Sequence, residues 1–335
     1  MGCNTLHSSS DFGLRTSDFQ LISYKMDYPK VIVLTLNYNG KPLLDDCITS
    51  YLANDYPNFE IVMIDNGSHD GSEEYVKATY PIVTCIQTGK NLGYSGGFNV
   101  GLKYAFKKQM ADFALITNND VKVDSKVISA LVEAALEDPL RGFVTGKVYY
   151  FDQPDTLQSV GKYEHPLRWN GDHIGAREID EGQYNEPSER FFIDDIFTLV
   201  RRDVYEKLGG YDTTYYLQCE EYDWQARAKK AGYKFYYTPF AKIWHKESMT
   251  LGKTSLLKAY SDARNPLIVI MKYKSRNFYR RYLGWHFRHI VLLQSAKIIV
   301  RRFEIIKAWM IWKGFISALI WRGGNRNICH LEKVD

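Results

Sequence analysis

FALITNND, residues 113–120, opens with four apolar residues and closes on two amides and a carboxylate. An isolated strand gains nothing from finishing this way. A strand of an open α/β sheet does, because ligands of such sheets bind beyond the carboxyl ends of the strands. The segment is therefore read as a buried strand that delivers Asn118, Asn119 and Asp120 to its tip. Such a fold requires other strands to end alike.

Three stretches on the N-terminal side meet that requirement. VIVLTL (31–36) is a buried strand that finishes at Asn37. FEIVMID (59–65) is a second, running into Asp65-Asn66-Gly67, and IVTCIQT (82–88) is a third. Between them lie helical patterns around 42–53 and 72–79. GYSGGFNVGLKYAFKKQ (93–109) begins with glycines and becomes helical, and KVISALVEAALED (126–138) follows the fourth strand as another helix. Strands alternating with helices predict an α/β fold with a doubly wound, mostly parallel sheet. Asn, Asp and Gly are common at any loop start; three polar tips in one sheet point instead to a shared ligand site.

The 335 residues are 45% hydrophobic and 24% charged, a composition suited to one large domain or to a domain plus an appendage. A net charge of +4 is too small to imply a nucleic-acid partner. Cys3, Cys47, Cys85, Cys219 and Cys329 form no CxxC pair. Neither a zinc site nor a disulfide framework follows, and a reducing cytoplasm is expected. Residues 1–28 read as a loose polar lead-in without a signal-peptide core; Gly2 suggests myristoylation, but Leu6 stands where Ser or Thr is wanted. Residues 29–275 form the predicted domain. Residues 276–335 form a basic, aromatic tail in which no run of apolar residues is long enough to span a bilayer.

Several residues could carry chemistry. Asp65 suits a base or ribose, or merely caps its turn. GKNLGYSGGFN (89–99), with Asn91, Gly93 and Gly96, lets backbone amides approach an anion, but it is not GxGxxG and does not argue for a dehydrogenase. Asp120, among amides and away from thiolates, suits a hard cation such as Mg²⁺ or Mn²⁺. Glu220 and Glu221 are adjacent and precede a short amphipathic helix. The helix dipole accounts for both, and crowding could also raise one pKa toward that of a general base. Asp223 and Arg227, four apart, are expected to form a helical ion pair. His245 closes the strand-like run FAKIWH, where it is structural or completes the site begun by Asp120.

Taken in order, VIVLTLNYNG, EIVMIDNGSHDGS, NLGYSGGFNVGL, LITNND, GGYDTTYYLQCEEYDWQARAKKAGY, TPFAKIWHKES and YSDARN resemble the family-two inverting glycosyltransferases of GT-A fold, in their bacterial rhamnosyltransferase-like branch. The resemblance runs from about Val31 to Lys274. It implies that Asn37 and Asp65 hold a nucleotide and that Asn91 with the following glycines lies beside its diphosphate. Asn118-Asn119-Asp120 takes the Asp-x-Asp position, with Asn118 in place of the first acid. Glu221 matches the general base with Glu220 beside it, and His245 matches a histidine of the metal or diphosphate site. Arg264 and Asn265 match an element near the acceptor, and Asp194-Asp195 face sugar or acceptor or form a solvated turn.

The implied reaction is inverting displacement from a nucleoside-diphosphate sugar. dTDP-rhamnose is favoured, with UDP- and GDP-sugars served by similar motifs, and the acceptor is a glycan or lipid-linked hydroxyl in cell-surface polysaccharide synthesis. A sugar nucleotidyltransferase would want more basic residues than Lys41 after the first strand. A non-catalytic nucleotide- or glycan-binding protein fits Asn118 but not the retained acids. The tail either lies on an anionic membrane surface at the inner leaflet or packs on the domain.

Overall fold

A computed structural model describes residues 28–246 and 256–321. The polar lead-in and its Gly2, the Glu247-Ser248 end of the histidine motif, and the tail beyond Trp321 lie outside the described residues.

The N-terminal half follows the predicted alternation: β1 (Val31–Asn37), α1 (Leu44–Leu52), β2 (Phe59–Asp65), α2 (Ser72–Thr79), β3 (Thr84–Gln87), α3 (Gly93–Lys103) and β4 (Phe113–Thr117). These strands lie side by side in the order β3-β2-β1-β4, all parallel. Burial on both surfaces explains the unbroken apolar text of β1, β2 and β4. Along β1, Val31 and Val33 pack with Leu44 and Ile48 of α1, while Ile32 and Leu34 pack with Phe98 and Leu102 of α3. Registry sets Asn37 beside Asp65 at the carboxyl ends of the two strands.

After β4 the chain re-enters the sheet as β5 (Val121–Val123) and then forms α4 (Val127–Leu136), β6 (Arg141–Tyr150) and β7 (Gln153–Ser159). β8 (Lys162–His165) and β9 (Trp169–His173) make a separate two-stranded ribbon. β10 (Ser188–Arg190), β11 (Phe197–Arg201), α5 (Arg202–Leu208), α6 (Glu220–Lys230) and β12 (Lys234–His245) complete the sheet in the order β10-β12-β6-β11-β4-β1-β2-β3, with β5 on β12 and β7 on β6. β11 runs antiparallel to both β4 and β6, which reverses the sheet at its centre. β12 is parallel to β6 and antiparallel to β5, pairing Val121 with His245.

The appendage is helical: α7 (Leu256–Tyr273), α8 (Arg276–His286), a wider π-helical stretch over 287–294, α9 (Ser295–Arg302) and α10 (Ile305–Ile320). Ser275 caps α8 by accepting from the Phe278 amide. α10 folds back on α7 and buries Ala308, Ile311, Phe315 and Ala318. The contact is tight at Gly314, where a Cβ would stand 2.3 Å from the Tyr260 carbonyl oxygen. Among the described residues, no helix is long and apolar enough to cross a membrane.

Candidate active site

Amides tie the strand tips together. Asn119 Nδ2 donates to Asn37 Oδ1 at 2.8 Å, and Asn37 Nδ2 reaches Ser68 Oγ at 3.3 Å. Gly40 lies over this pair, and a Cβ there would be 2.5 Å from Asn119 Nδ2. Beside Asn37, Asp65 is buried; its Oδ1 accepts from the Ser68 amide at 2.7 Å, while its Oδ2 is buried with no partner among the described residues. An unmatched buried carboxylate oxygen is costly unless something outside the chain meets it.

The glycine-rich segment docks here. Asn91 Oδ1 accepts from the Gly93 amide at 2.8 Å, from Asn66 Nδ2 at 3.1 Å and from the Tyr216 hydroxyl at 2.8 Å. Gly93 has φ +75°, and a Cβ there would strike the Tyr216 carbonyl at 2.5 Å. A Cβ on Gly96 would stand 2.8 Å from Leu92 Cβ in the preceding turn. The glycine at 97 is needed because α3 presses on β1, with Leu36 Cδ1 2.4 Å from where its Cβ would be.

β5 and β12 bring Asp120 and His245, both buried, into contact, with Asp120 Oδ1 3.2 Å from His245 Nε2. His245 Nδ1 lies 2.8 Å from Gln158 Oε1, an acceptor, so the neutral ring carries its proton on Nδ1. The lone pair on Nε2 then looks at a carboxylate oxygen, with Asn118 Nδ2 3.3 Å away. A proton on Nε2, or a divalent cation held by both atoms, satisfies this contact. Neighbouring ligands of an octahedral Mg²⁺, each at about 2.1 Å, are about 3 Å apart, so the pair fits such an ion. Nδ1–H bonded to an acceptor is also the usual support of a metal-bound imidazole.

Glu220 and Glu221 open α6 after a strained turn. Gln218 (φ +70°) and Cys219 (φ +72°) are consecutive left-handed non-glycine residues. Asn265 holds the turn, its Nδ2 donating to the carbonyls of Leu217 at 2.8 Å and Gln218 at 2.9 Å. Arg264 braces Asn265 Oδ1 at 2.7 Å and the Thr214 carbonyl at 3.1 Å. Both residues bond the backbone that presents the two glutamates.

Asp195 joins the glutamates, so that one oxygen from each of the three lies within 4.8 Å of the others. Glu220 is buried and its Oε2 has no partner among the described residues, whereas Glu221 keeps contact with solvent. Burial raises the pKa of all three above the ordinary carboxylate range. For Glu220 the charges of Glu221 and Asp195 add to it; for Glu221 the ammonium of Lys162 opposes it. Asp194 does not form a solvated turn. It is buried, accepts from Ser159 Oγ at 2.5 Å, pairs with Lys162 at 2.8 Å and meets His173 Nε2 at 3.2 Å. Asp223 pairs with Arg227 at 2.9 Å as expected and also meets Lys272, which occupies it structurally.

The two halves of the site are bonded to one another. Gln158 on His245 adjoins Ser159 on Asp194, and the Asn118 amide donates to the Ile196 carbonyl at 3.0 Å, next to Asp195. The Tyr94 hydroxyl, from the glycine-rich helix, donates to the Asp195 carbonyl at 3.1 Å. Gln158, Lys162 and His173 carry no spacing signal, since they come from β7–β9; Tyr94 could have been found inside NLGYSGG.

A family model described as glycosyl transferase family 2 matches residues 31–209. The N-acetylglucosaminyl-diphospho-decaprenol L-rhamnosyltransferase of Mycobacterium tuberculosis is 26% identical over 291 residues, 80% of this chain and 92% of that protein. The poly-beta-1,6-N-acetyl-D-glucosamine synthase of Staphylococcus aureus is 24% identical over 64% of this chain and 49% of its own length. In fold, the chain is similar to the mannosyltransferase PcManGT from Pyrobaculum calidifontis in complex with GDP-Man and Mn²⁺ (TM-score 0.54, 15% identity, 88% of each chain). It is also similar to Staphylococcus aureus TarS 1–349 in complex with UDP (TM-score 0.54, 13% identity, 87% of this chain and 81% of that one).

Proposed function

The chain belongs to glycosyl transferase family 2, and we propose that it moves a sugar, with inversion, from a nucleoside-diphosphate donor to a hydroxyl of a glycan or lipid-linked acceptor. It is a glycosyltransferase of GT-A fold, not a sugar nucleotidyltransferase. A rhamnosyl donor, dTDP-rhamnose before UDP- or GDP-sugars, is favoured by the likeness to the mycobacterial rhamnosyltransferase.

The nucleotide lies across the strand tips, where Asp65 Oδ2 meets its base or ribose and Asn37, Asn119 and Asn91 fix its edge. Asp120 and His245 hold Mg²⁺ or Mn²⁺, with Gln158 orienting the imidazole. That ion, when bound, offsets charge on the departing diphosphate, a stabilisation of several kcal/mol. Glu221 takes the proton from the acceptor hydroxyl as its oxygen attacks the anomeric carbon. Burial keeps the Glu221 pKa raised, nearer the working pH, against the opposing ammonium of Lys162, and Asn265 and Arg264 hold the turn on which it sits. The enzyme works in the cytoplasm at the inner face of the membrane, a reading supported by the basic C-terminal helices.

The observation that carries this reading is the Asp120–His245 pair, 3.2 Å apart beside the strand tips. A panel of nucleotide sugars, screened for thermal stabilisation with and without Mn²⁺, tests it. One donor should raise the melting temperature, and more so with the metal. No stabilisation by any nucleoside-diphosphate sugar would refute it.

A further inference from the structure

The helical appendage ends in a surface that folding does not explain. Phe303, between α9 and α10, has φ +54° and is 84% exposed. A bulky side chain in the left-handed region costs roughly 1–2 kcal/mol, and nothing among the described residues offsets it by covering the ring. Val300, Ile305, Ile306, Trp309 and Ile320, each more than 60% exposed, extend the patch along α9 and α10. Under this apolar ridge lies a cavity of about 520 Å³ between α7, α9 and the start of α10. Lys258, Lys297, Arg301, Arg302 and Lys307 line it with one acid, Asp262. Asp262 is paired with Lys258 at 2.8 Å, and Glu304 stands 3.5 Å from Lys307. Among the described residues, Lys297, Arg301 and Arg302 have no carboxylate partner.

We infer that this cavity takes the phosphate headgroups of an anionic lipid surface, with Phe303 and its apolar neighbours inserted among the acyl chains. Charge selects the occupant. Residues 276–321 carry nine Lys or Arg against one acid, Glu304. A second copy docked face to face would set these cations against each other. The chain beyond Trp321 brings Arg322, Arg326 and Lys333 along with Glu332 and Asp335, and so offers no net neutralisation. Anionic phospholipid supplies both the negative charge and the apolar layer that the ridge lacks. The site is also well placed for catalysis. Asp262 lines a second cavity of about 490 Å³, which reaches Cys219 and Tyr222 on either side of the glutamate pair and is walled by Arg168, Tyr282 and Trp285. The inference rests on the reading that the enzyme works at a membrane, not on the identity of its sugar.

Co-sedimentation of the full chain with vesicles tests it. Binding is expected to phosphatidylcholine vesicles that contain phosphatidylglycerol and not to phosphatidylcholine alone, and it should fall as salt is raised. Replacing Lys297, Arg301 and Arg302 together by Ala should weaken partitioning roughly a hundredfold, about fivefold per cation. Phe303→Asp should weaken it as well, and both variants should keep the parental melting temperature. Undiminished binding by the triple variant overturns the headgroup site and leaves the membrane reading standing. No binding by the full chain overturns both. A dimer that Phe303→Asp dissociates, with no vesicle binding, gives the surface to a second copy and overturns the inference. Equal salt-sensitive stabilisation by inorganic phosphate without vesicles assigns the cavity to a soluble anion and does the same.

Discussion

Asp120 Oδ1 lies 3.2 Å from His245 Nε2, because the short strand after the asparagine pair runs antiparallel to the last strand of the sheet and pairs Val121 with His245. The loop tip of one strand is thereby locked to the end of another. Gln158 completes the arrangement by fixing the imidazole proton on Nδ1.

Gln158→Leu should therefore weaken Mn²⁺ binding about 10–100-fold, the usual cost of removing a ligand's hydrogen-bonded support. A Mn²⁺ titration of the donor complex measures it. Affinity equal to that of the parent would show that the histidine's orientation does not depend on Gln158.

Gly40→Ala should disturb the nucleotide side without touching an acid. Its Cβ would stand 2.5 Å from Asn119 Nδ2 and 2.6 Å from Asn37 Oδ1. Overpacking of this kind costs about 1–3 kcal/mol. Calorimetry should show weaker donor binding together with a lower melting temperature; unchanged donor affinity would remove the Asn37–Asn119 pair from the binding surface.

The N-terminal half of the fold was legible because β1, β2 and β4 are buried on both sides and each ends on a polar tip. The Asp223–Arg227 pair was equally plain, being a matter of helical spacing. The three-residue β5 was not read, since VKV is too short for periodicity to speak. Nor was the central reversal by β11, because an apolar strand looks the same in either direction. Gln158, Lys162 and His173 were invisible for a related reason: Gln158 comes from β7 beside β6 and the other two from the β8–β9 ribbon, and their side chains acquire meaning only once these strands have folded. Asp195 was noticed as an acid, but its partnership with Glu220 and Glu221 depends on a turn that Asn265 enforces from a distant helix.

The raised carboxyl pKa values fix the sign of the pH dependence. Glu221 must be ionised to act as base, so kcat/KM should fall as pH drops through a midpoint above the ordinary carboxylate value of about 4. Lys162→Met removes the ammonium that opposes this rise and should move that limb to higher pH. A limb left in place would exclude electrostatic contact between the two. Activity profiles of parent and variant decide it.

Stability should run the other way. Carboxyls whose pKa is raised on folding bind protons more tightly in the native state. Their contribution is fully present below the unfolded-state values and is lost as pH rises through the raised ones. Asp195→Asn and Glu220→Gln should each stabilise the protein at neutral pH relative to acid pH, as read by denaturant midpoints. A pH-independent difference from the parent would contradict this.

The account turns on Glu221 as the group that takes the acceptor's proton, and Glu221→Gln tests it most directly. Donor affinity, measured by calorimetry, should stay within error of the parent, while the rate of sugar transfer falls about 10²–10⁴-fold. Transfer at the parental rate by a variant that binds donor normally would contradict the mechanism.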